Sequence, residues 1–345
     1  MPSRYFNSME GPSGFLNRVL RSGVDLVPGI VAASVVGLAA AFIAREYGGP
    51  IMLFVLLLGM ALNPVADHER LLPGIDCAAH FVLRLGVALL GVRITLDQII
   101  SLGLMPLVVV VSGVVATIFV GVVLSRWFKL GTRFGILTGS AVAICGASAA
   151  MAISAVLPKG KNDERDTIFT VIGVTTLSTI AMIVYPIITL LLGYDDHQAG
   201  IFLGGTIHDV AQVIGAGYSI SQEAGDTATF TKLLRVAMLL PVALSVAFLF
   251  LPGKGGSEKV RPPLFLFAFF ILAGINSAGW IPPDFQQGLS QLSRVCLVLA
   301  IAALGIRTSL AGVMKVGGTA ITLIVLETFF LAGLVIALLT VASWQ

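Results

Sequence analysis

The sequence predicts an all-α polytopic membrane protein with about eleven transmembrane segments, and three observations support this fold class. Of the 345 residues, 57% are hydrophobic, and the mean hydropathy is +0.99. Only 11% of the residues are charged, whereas an ordinary soluble domain has about 25% charged residues. A single protein core cannot hide so much apolar surface, so lipid must solvate much of it. The composition therefore excludes a cytosolic enzyme.

Charge and cysteine content exclude further classes. The net charge of +3 is small and dispersed, which argues against a nucleic-acid partner. The cysteines are far apart and lie in or beside apolar segments, so we expect reduced thiols and no disulfide framework. The sequence contains no recognisable nucleotide, dinucleotide or zinc-protease motif. We therefore expect neither a cofactor nor a bound metal.

Hydropathy along the chain predicts the segments in order. Residues 1–23 are expected to form a cytoplasmic tail, because they are basic and contain no apolar stretch of signal-peptide type. The predicted segments span residues 24–44, 49–66, 75–93, 102–125, 134–157, 166–192, 198–217, 230–251, 263–280, 286–306 and 316–343. Lysine and arginine are more numerous in the loops on the side of this tail, which predicts a cytoplasmic N-terminus. The same assignment counts Lys232 and Arg235, at the outer end of the segment 230–251, with the outer loops.

Two predicted segments, residues 134–157 and 198–217, are the least typical spans because each opens with a glycine-rich run. Two interpretations stay open for them. Each segment could re-enter, the first from the cytoplasm and the second from outside, and return to its own side around a wet cavity. Alternatively, each could cross the membrane and pack closely against neighbouring helices through its small residues.

The second of these segments contains the strongest cluster of polar side chains. Gly205, His208, Asp209 and Gln212 would share one face of a continuous helix. A histidine beside a carboxylate can exchange a proton near neutral pH, and glutamine can both donate to and accept from a substrate. The alternative is a hydrogen-bonded packing cluster. Because ionisable groups at membrane depth are costly, a functional role is the preferred hypothesis.

Anion-binding groups are predicted in three other segments. Arg84 and Arg294 lie near the middle of spans, and the planar guanidinium is well suited to an oxyanion. The alternative for both is charge neutralisation by Asp209 or Glu327. An unwound run in the segment 134–157 could direct backbone N–H groups and hydroxyls at an anion. The residues concerned are Ser140, Cys145, Gly146 and Ser148.

Three motifs resemble the YeiH-like family of bacterial inner-membrane proteins, which is described as a family of sulfate exporters. They are Ala-Ile-Cys-Gly-Ala-Ser-Ala at 143–149, Gly-Gly-Thr-Ile-His-Asp-Val-Ala-Gln-Val at 204–213, and Leu-Gly-[Val/Ile]-Arg at 90–93 and 304–307. This family is similar to the wider group that contains the bile-acid sodium symporters. The resemblance implies an extra first helix (24–48) and two inverted five-helix repeats (49–192 and 193–345). It also implies discontinuous helices broken near Cys145-Gly146 and near Leu304-Gly305.

The residues and the resemblance together favour a secondary carrier that exports a small anion, such as sulfate or a sulfonate, by alternating access. The proton-coupling pair is predicted to be His208 and Asp209, while sodium stays open as the coupling ion because the related symporters use it. The alternatives are a passive anion channel and a membrane-embedded enzyme that uses the His-Asp pair. We expect the bacterial inner membrane as the location and a homo-oligomer as one form of assembly. The predicted anion-binding residues are Ser140, Cys145, Gly146, Ser148, Gln212, Arg84 and Arg294.

Overall fold

The computed structural model describes residues 23–47, 51–64, 68–93, 103–158, 163–250, 264–307 and 318–342, and the regular elements in these ranges are helices. Most of the predicted tail and the basic residues Lys159 and Lys161 lie outside the described residues. The helices are α1 (Gly23–Tyr47), α2 (Ile51–Ala61), α3 (Leu72–Leu90), α4 (Met105–Trp127), α5 (Thr132–Ala143), α6 (Ala147–Val156), α7 (Asp163–Leu191), α8 (Asp196–Thr206), α9 (Val210–Ile220), α10 (Gln222–Ala237), α11 (Leu239–Phe250), α12 (Leu264–Ser277), α13 (Pro283–Arg307) and α14 (Thr319–Ala342).

The predicted fold class, an all-α polytopic membrane protein, is confirmed. In the described ranges, seven helices are long and apolar enough to cross a membrane: α1, α3, α4, α7, α13, α14 and the joined pair α10–α11. The shorter apolar helices include α2, α6, α9 and α12. Large apolar side chains such as Val111, Val115 and Phe119 are exposed along one face of α4. This spacing of four residues is typical of a face that lipid covers.

The helices form two groups. The scaffold bundle consists of α1, α2, α3, α12 and α13, in which α13 packs against the first three and α12 against α3. The core bundle consists of α4–α11 and α14, and α9 connects the two by packing against α2 and α13. Close approach in the scaffold bundle depends on glycine, because a Cβ atom on Gly59 of α2 would lie 2.8 Å from the carbonyl oxygen of Ala302.

The predicted segment 198–217 forms a re-entrant hairpin, which we call hairpin 2. Its two arms, α8 and α9, are separated by residues 207–209. A Cβ atom on Gly200 of α8 would lie 2.9 Å from the carbonyl oxygen of Ala224, and one on Gly217 of α9 would lie 3.2 Å from the same oxygen. The first arm therefore begins at the level where the second arm ends. This geometry supports the re-entrant interpretation.

The predicted segment 134–157 forms a second hairpin, hairpin 1, whose arms α5 and α6 are separated by residues 144–146. A Cβ atom on Gly146 would lie 3.7 Å from a methyl group of Val174, in the first half of α7. The arm α6 has 10 residues, which corresponds to about 15 Å of helix. Because only residues 157–162 connect α6 to α7, α6 runs toward the beginning of α7. That beginning lies toward the N-terminal end of α14, where α5 also begins, because Gly173 packs against Ile324 near the start of α14 and the later Ser178 contacts the tip of hairpin 2.

The two hairpins come from opposite ends of the core bundle, as their contacts with α14 show. Thr328 of α14 is hydrogen-bonded to His208 between the arms of hairpin 2, and Val335, two turns further on, lies beside Gly205. Hence α8 begins toward the C-terminal end of α14. Helix α4 runs antiparallel to α14, so α5, which follows α4, begins toward the N-terminal end of α14. The tips of both hairpins meet in the middle.

Two sequence predictions about the broken helices are wrong. The helix α13 is continuous through Leu304-Gly305, where the family resemblance implied a break. A Cβ atom on Gly305 would lie 2.8 Å from the carbonyl oxygen of Leu56, so this glycine serves close packing against α2. The second break lies instead at residues 207–209. Consequently Gly205 and Gln212 stand on different helices and do not share one helical face.

Candidate functional site

The side chain of Lys232 joins the tips of the two hairpins. Its ammonium group donates to the carbonyl oxygen of Ile144 at 2.7 Å and to that of Ile207 at 2.9 Å. The side chain is fully buried on α10. One cation thus satisfies the last carbonyl groups of α5 and α8, which helix geometry otherwise leaves without partners.

Arg235, one turn later on α10, holds the same two helix ends with its guanidinium group. Its Nε and Nη2 atoms each donate at 2.8 Å, to the carbonyl oxygens of Ala143 and Val142. Its Nη1 atom donates at 3.0 Å to the carbonyl oxygens of both Gly204 and Ile207. The C-terminal end of a helix carries partial negative charge, so both cations are placed where the helix dipoles stabilise them.

The predicted outer-loop position of Lys232 and Arg235 is therefore wrong. Helix α10 begins at Gln222, whereas the hydropathy pattern placed the start of this span at residue 230. The early turns of α10 contain Glu223 and Asp226, and these acids together with the two cations lower the local hydropathy below that of a span. A usable signal was present, because cations at positions i and i+3 share one face of a helix.

The second arms of both hairpins begin at the same tips. The N-terminal end of α6 is open, because Ser148 is exposed while Cys145 and Gly146 beside it are buried. The N-terminal end of α9 is half-buried at Asp209, whose carboxylate accepts from the Ala211 N–H at 2.8 Å and caps the helix. Gly146 adopts φ +63°, a conformation that favours glycine, so this residue permits the turn between α5 and α6.

Gln212 and Ser140 are among the buried polar side chains near the tips that retain an atom without a protein partner. The amide nitrogen of Gln212 donates to the hydroxyl of Thr179 at 2.9 Å, but its Oε1 atom has no hydrogen-bond partner. The hydroxyl of Ser140, which is also buried, has none either. Buried polar groups in proteins are nearly always hydrogen-bonded, so such atoms are candidates for contact with a ligand.

His208 is held by the helix α14. Its Nε2 atom lies 3.0 Å from the hydroxyl oxygen of Thr328, and that hydroxyl lies 2.8 Å from the carbonyl oxygen of Ile324. A hydroxyl has a single proton, which Thr328 gives to Ile324, so Nε2 of His208 is the donor in this contact. The imidazole is fully buried.

The two predicted arginines lie elsewhere. Arg84 on α3 and Arg294 on α13 belong to the scaffold bundle, and both side chains are exposed rather than buried at the tips. The helix α3 is also distorted next to Arg84, because the turn Ala78–Val82 is π-helical. One turn before this distortion, Asp76 pairs with Arg307 of α13, at 2.6 Å.

The net charge around the tips of the two hairpins is positive. Neither Lys232 nor Arg235 forms an ion pair with a carboxylate of the described residues. The two helix C-termini and the two helix N-termini carry roughly half a charge each, of opposite sign, and cancel. Two fixed cations then stand against the single carboxylate of Asp209. Such a centre can attract an anion toward the N-terminal ends of α6 and α9.

Comparison with known proteins shows the family. Residues 28–324 match the family described as Conserved hypothetical protein 698. The chain is 51% identical over 315 residues to the UPF0324 membrane protein CT0845 of Chlorobaculum tepidum, covering 90% of this chain and 88% of that protein. It is 50% identical over 319 residues to the UPF0324 membrane protein TauZ of Paracoccus pantotrophus, covering 91% and 94%. The chain belongs to the UPF0324 family.

This membership confirms the resemblance to the YeiH-like family. The matched region of the UPF0324 family includes both hairpins and α10, so the tips and the two cations lie within it. A further relative, the UPF0324 membrane protein RB0971 of Rhizobium meliloti, is 50% identical over 315 residues, covering 90% of this chain and 91% of that protein. These UPF0324 relatives are named as membrane proteins, in agreement with the apolar helices of this chain.

Proposed function

We propose that this protein is a secondary carrier that exports a small oxyanion, sulfate or a sulfonate, by alternating access. One observation carries the proposal. Two buried cations without carboxylate partners join the tips of two re-entrant hairpins that come from opposite ends of the core bundle. Carriers place their substrate at such midplane sites, where broken helices present backbone groups to the ligand.

The proposed site uses most of the residues that the sequence predicted. The oxyanion would lie at the N-terminal ends of α6 and α9, where backbone N–H groups and helix dipoles favour negative charge. Ser148 offers an exposed hydroxyl there, and Gln212 and Ser140 have polar atoms free for a ligand. Cys145 and Gly146 form the turn that brings α6 to this position.

Arg84 and Arg294 have a different place in the proposal. Because both side chains are exposed on the scaffold bundle, they do not contact an anion at the tips. Their fixed charges suit attraction of an anion that approaches the protein. This role stays a prediction.

The proposed coupling ion is the proton. Sodium would need oxygen ligands from the broken helices, but the terminal carbonyl groups of α5 and α8 already accept from Lys232 and Arg235. His208 and Asp209 lie at the tip of hairpin 2 and can exchange protons there. Movement of this tip would then change the surroundings of both the proton and the anion.

The proposed location is the bacterial inner membrane. Three basic residues lie at the end of the core bundle where α4 connects to α5, namely Arg126, Lys129 and Arg133, and Arg165 lies near the start of α7. Because loops rich in lysine and arginine stay in the cytoplasm, we place this end of the core bundle on the cytoplasmic side. Hairpin 1 then re-enters from the cytoplasm and hairpin 2 from outside.

Anion counterflow tests the proposal. Purified protein is placed in liposomes loaded with unlabelled sulfate, and uptake of labelled sulfate is measured against protein-free liposomes. We expect saturable uptake that competing substrates reduce. A panel of inorganic, sulfonate and carboxylate anions extends the assay. Absence of saturable uptake for every anion would refute the carrier, and flux proportional to concentration would indicate a channel instead.

A further inference from the structure

Glu327 is a buried acid whose one role expected from the sequence is to neutralise an arginine. Its side chain is fully buried in α14. Oε1 lies 2.8 Å from the hydroxyl of Thr138 on α5, and Oε2 has no hydrogen-bond partner. Within the described ranges the carboxyl forms no ion pair with a cation. Helix α4 approaches closely here, since a Cβ atom on Gly121 would lie 2.5 Å from Oε1.

An ionised carboxylate in this environment would be strongly destabilised. Burial of an isolated charge is costly unless it is both paired and hydrogen-bonded. Glu327 has one hydrogen bond and no cation, whereas Lys232 and Arg235 are bonded to the hairpin tips. The observed packing therefore suits the neutral acid.

Thr138 can serve both protonation states of Glu327. Its hydroxyl lies 2.8 Å from Oε1 of Glu327 and 3.1 Å from the carbonyl oxygen of Phe134. A protonated carboxyl can donate to Thr138, which then donates to Phe134. An ionised carboxylate can instead accept the single hydroxyl proton of Thr138. The site can thus take up or release a proton without repacking this contact.

The same turn of α14 contacts both hairpins. Glu327 contacts Thr138 on α5, and the next residue, Thr328, accepts from His208 at the tip of hairpin 2. The other helices bring small uncharged residues, Gly121 of α4 against Glu327 itself and Gly173 of α7 against Ile324, one turn earlier on α14. Among these neighbours, His208 is the titratable group.

We propose that Glu327 is a proton-binding site of the carrier. It is neutral in the conformation described, and it releases its proton to water when α5 moves away from α14 and opens the site. Reprotonation from the other side of the membrane allows the two helices to pack again. This inference rests on the proposed function, because it makes Glu327 part of the coupling of anion movement to protons.

The protonation state is tested first, in a way that does not depend on transport. Infrared difference spectra of purified wild-type protein and the Glu327→Gln variant are compared at neutral pH. We expect a protonated-carboxyl band in wild type that the variant lacks. Glu327→Asp should shift this band, and this variant replaces Glu327→Gln in the test if the glutamine variant does not fold. An unchanged band in both variants would show that Glu327 is ionised and would overturn the proposal.

The coupling role is tested in liposomes. Glu327→Gln keeps the shape of the neutral acid, so we expect it to retain anion counterflow and to lose the stimulation of net uptake by a pH gradient. The matched control is Glu223→Gln, an exposed acid on α10, which should retain both. Full pH-gradient stimulation in Glu327→Gln would overturn the proposal. If wild type carries no anion, the proposed function fails, whereas the infrared result still decides the state of Glu327.

Discussion

Lys232 and Arg235 show how a buried cation can be stabilised without an acidic partner. Carbonyl oxygens at the ends of two helices accept from them, and the dipoles of those helices supply part of the compensating negative charge. Because neither cation pairs with a carboxylate of the described residues, net positive charge stays at the tips for the proposed anion. This arrangement also makes the two hairpin tips mutually dependent, because each cation is bonded to both.

Lys232→Met should both destabilise the protein and abolish anion counterflow. The carbonyl groups of Ile144 and Ile207 would lose a donor, and an unsatisfied buried acceptor costs about 1–3 kcal/mol. We expect a lower melting temperature in detergent. Lys129→Met is the control, because Lys129 is exposed and should tolerate the change. Unchanged stability and transport in Lys232→Met would contradict the assigned contacts.

His208→Gln should flatten the pH dependence of anion counterflow. Glutamine can still donate to Thr328 but cannot titrate, so the hydrogen bond is kept while the proton exchange is lost. The initial rate of counterflow is measured across the pH range for wild type and variant. Thr340→Val, a change of a threonine near the far end of α14, is the control and should keep the wild-type profile. A full pH dependence in His208→Gln would remove His208 from the coupling mechanism.

At the scale of elements, glycine has two roles that the sequence does not distinguish. Gly146 precedes α6 and allows the turn that separates it from α5, and the sequence correctly predicted a break here. Gly305 lies in a similar run, but it permits contact between continuous helices. Only the neighbouring helix decides between these roles, which is why the predicted break near Leu304-Gly305 is wrong while that near Cys145-Gly146 is confirmed.

As with the two helix breaks, only part of the candidate site could be predicted from the sequence. His208, Asp209 and Gln212 stand out because polar side chains are rare in an apolar segment, and the structure places them at or beside the tip of hairpin 2. Lys232 and Arg235 were missed because hydropathy alone assigns charged residues to loops. Their partners are backbone carbonyls distant in sequence, and no pattern of side chains reveals such contacts.

The packing of α4 against α5 and α14 gives a prediction at this scale. A Cβ atom on Gly121 would lie 2.7 Å from the carbonyl oxygen of Gly135 and 2.5 Å from Glu327, so Gly121→Ala should cost about 1–3 kcal/mol. Gly333→Ala on α14 is the control, because nothing lies within 4 Å of its added methyl group. This control should be neutral or stabilising by up to about 1 kcal/mol, since alanine favours helix. Equal melting temperatures of the two variants in detergent would contradict the described packing.

At the scale of the whole molecule, the core bundle carries both hairpins, and the scaffold bundle contacts it mainly through α9. A polar contact also connects the two groups: Arg93, just after α3, pairs with Asp226 of α10 at 3.1 Å. The hydroxyl of Tyr218 on α9 donates to the same carboxylate at 2.5 Å. The proposed carrier would open its central site to each side in turn, and sliding of one bundle against the other is the motion that this division allows.

The central claim of this account is that the hairpin tips surround an anion site reached from water. Labelling of Ser148→Cys with a membrane-impermeant maleimide in oriented vesicles tests this claim most directly. Ser148 is exposed at the tip, and the native cysteines of the described residues are buried, so wild type is the background. Val115→Cys, on the exposed apolar face of α4, is the lipid-facing control. The account predicts labelling of Ser148→Cys that sulfate or a sulfonate slows, and no labelling of the control. The account would be contradicted if no tested anion slowed the labelling of Ser148→Cys, or if Ser148→Cys were labelled from neither side of the membrane.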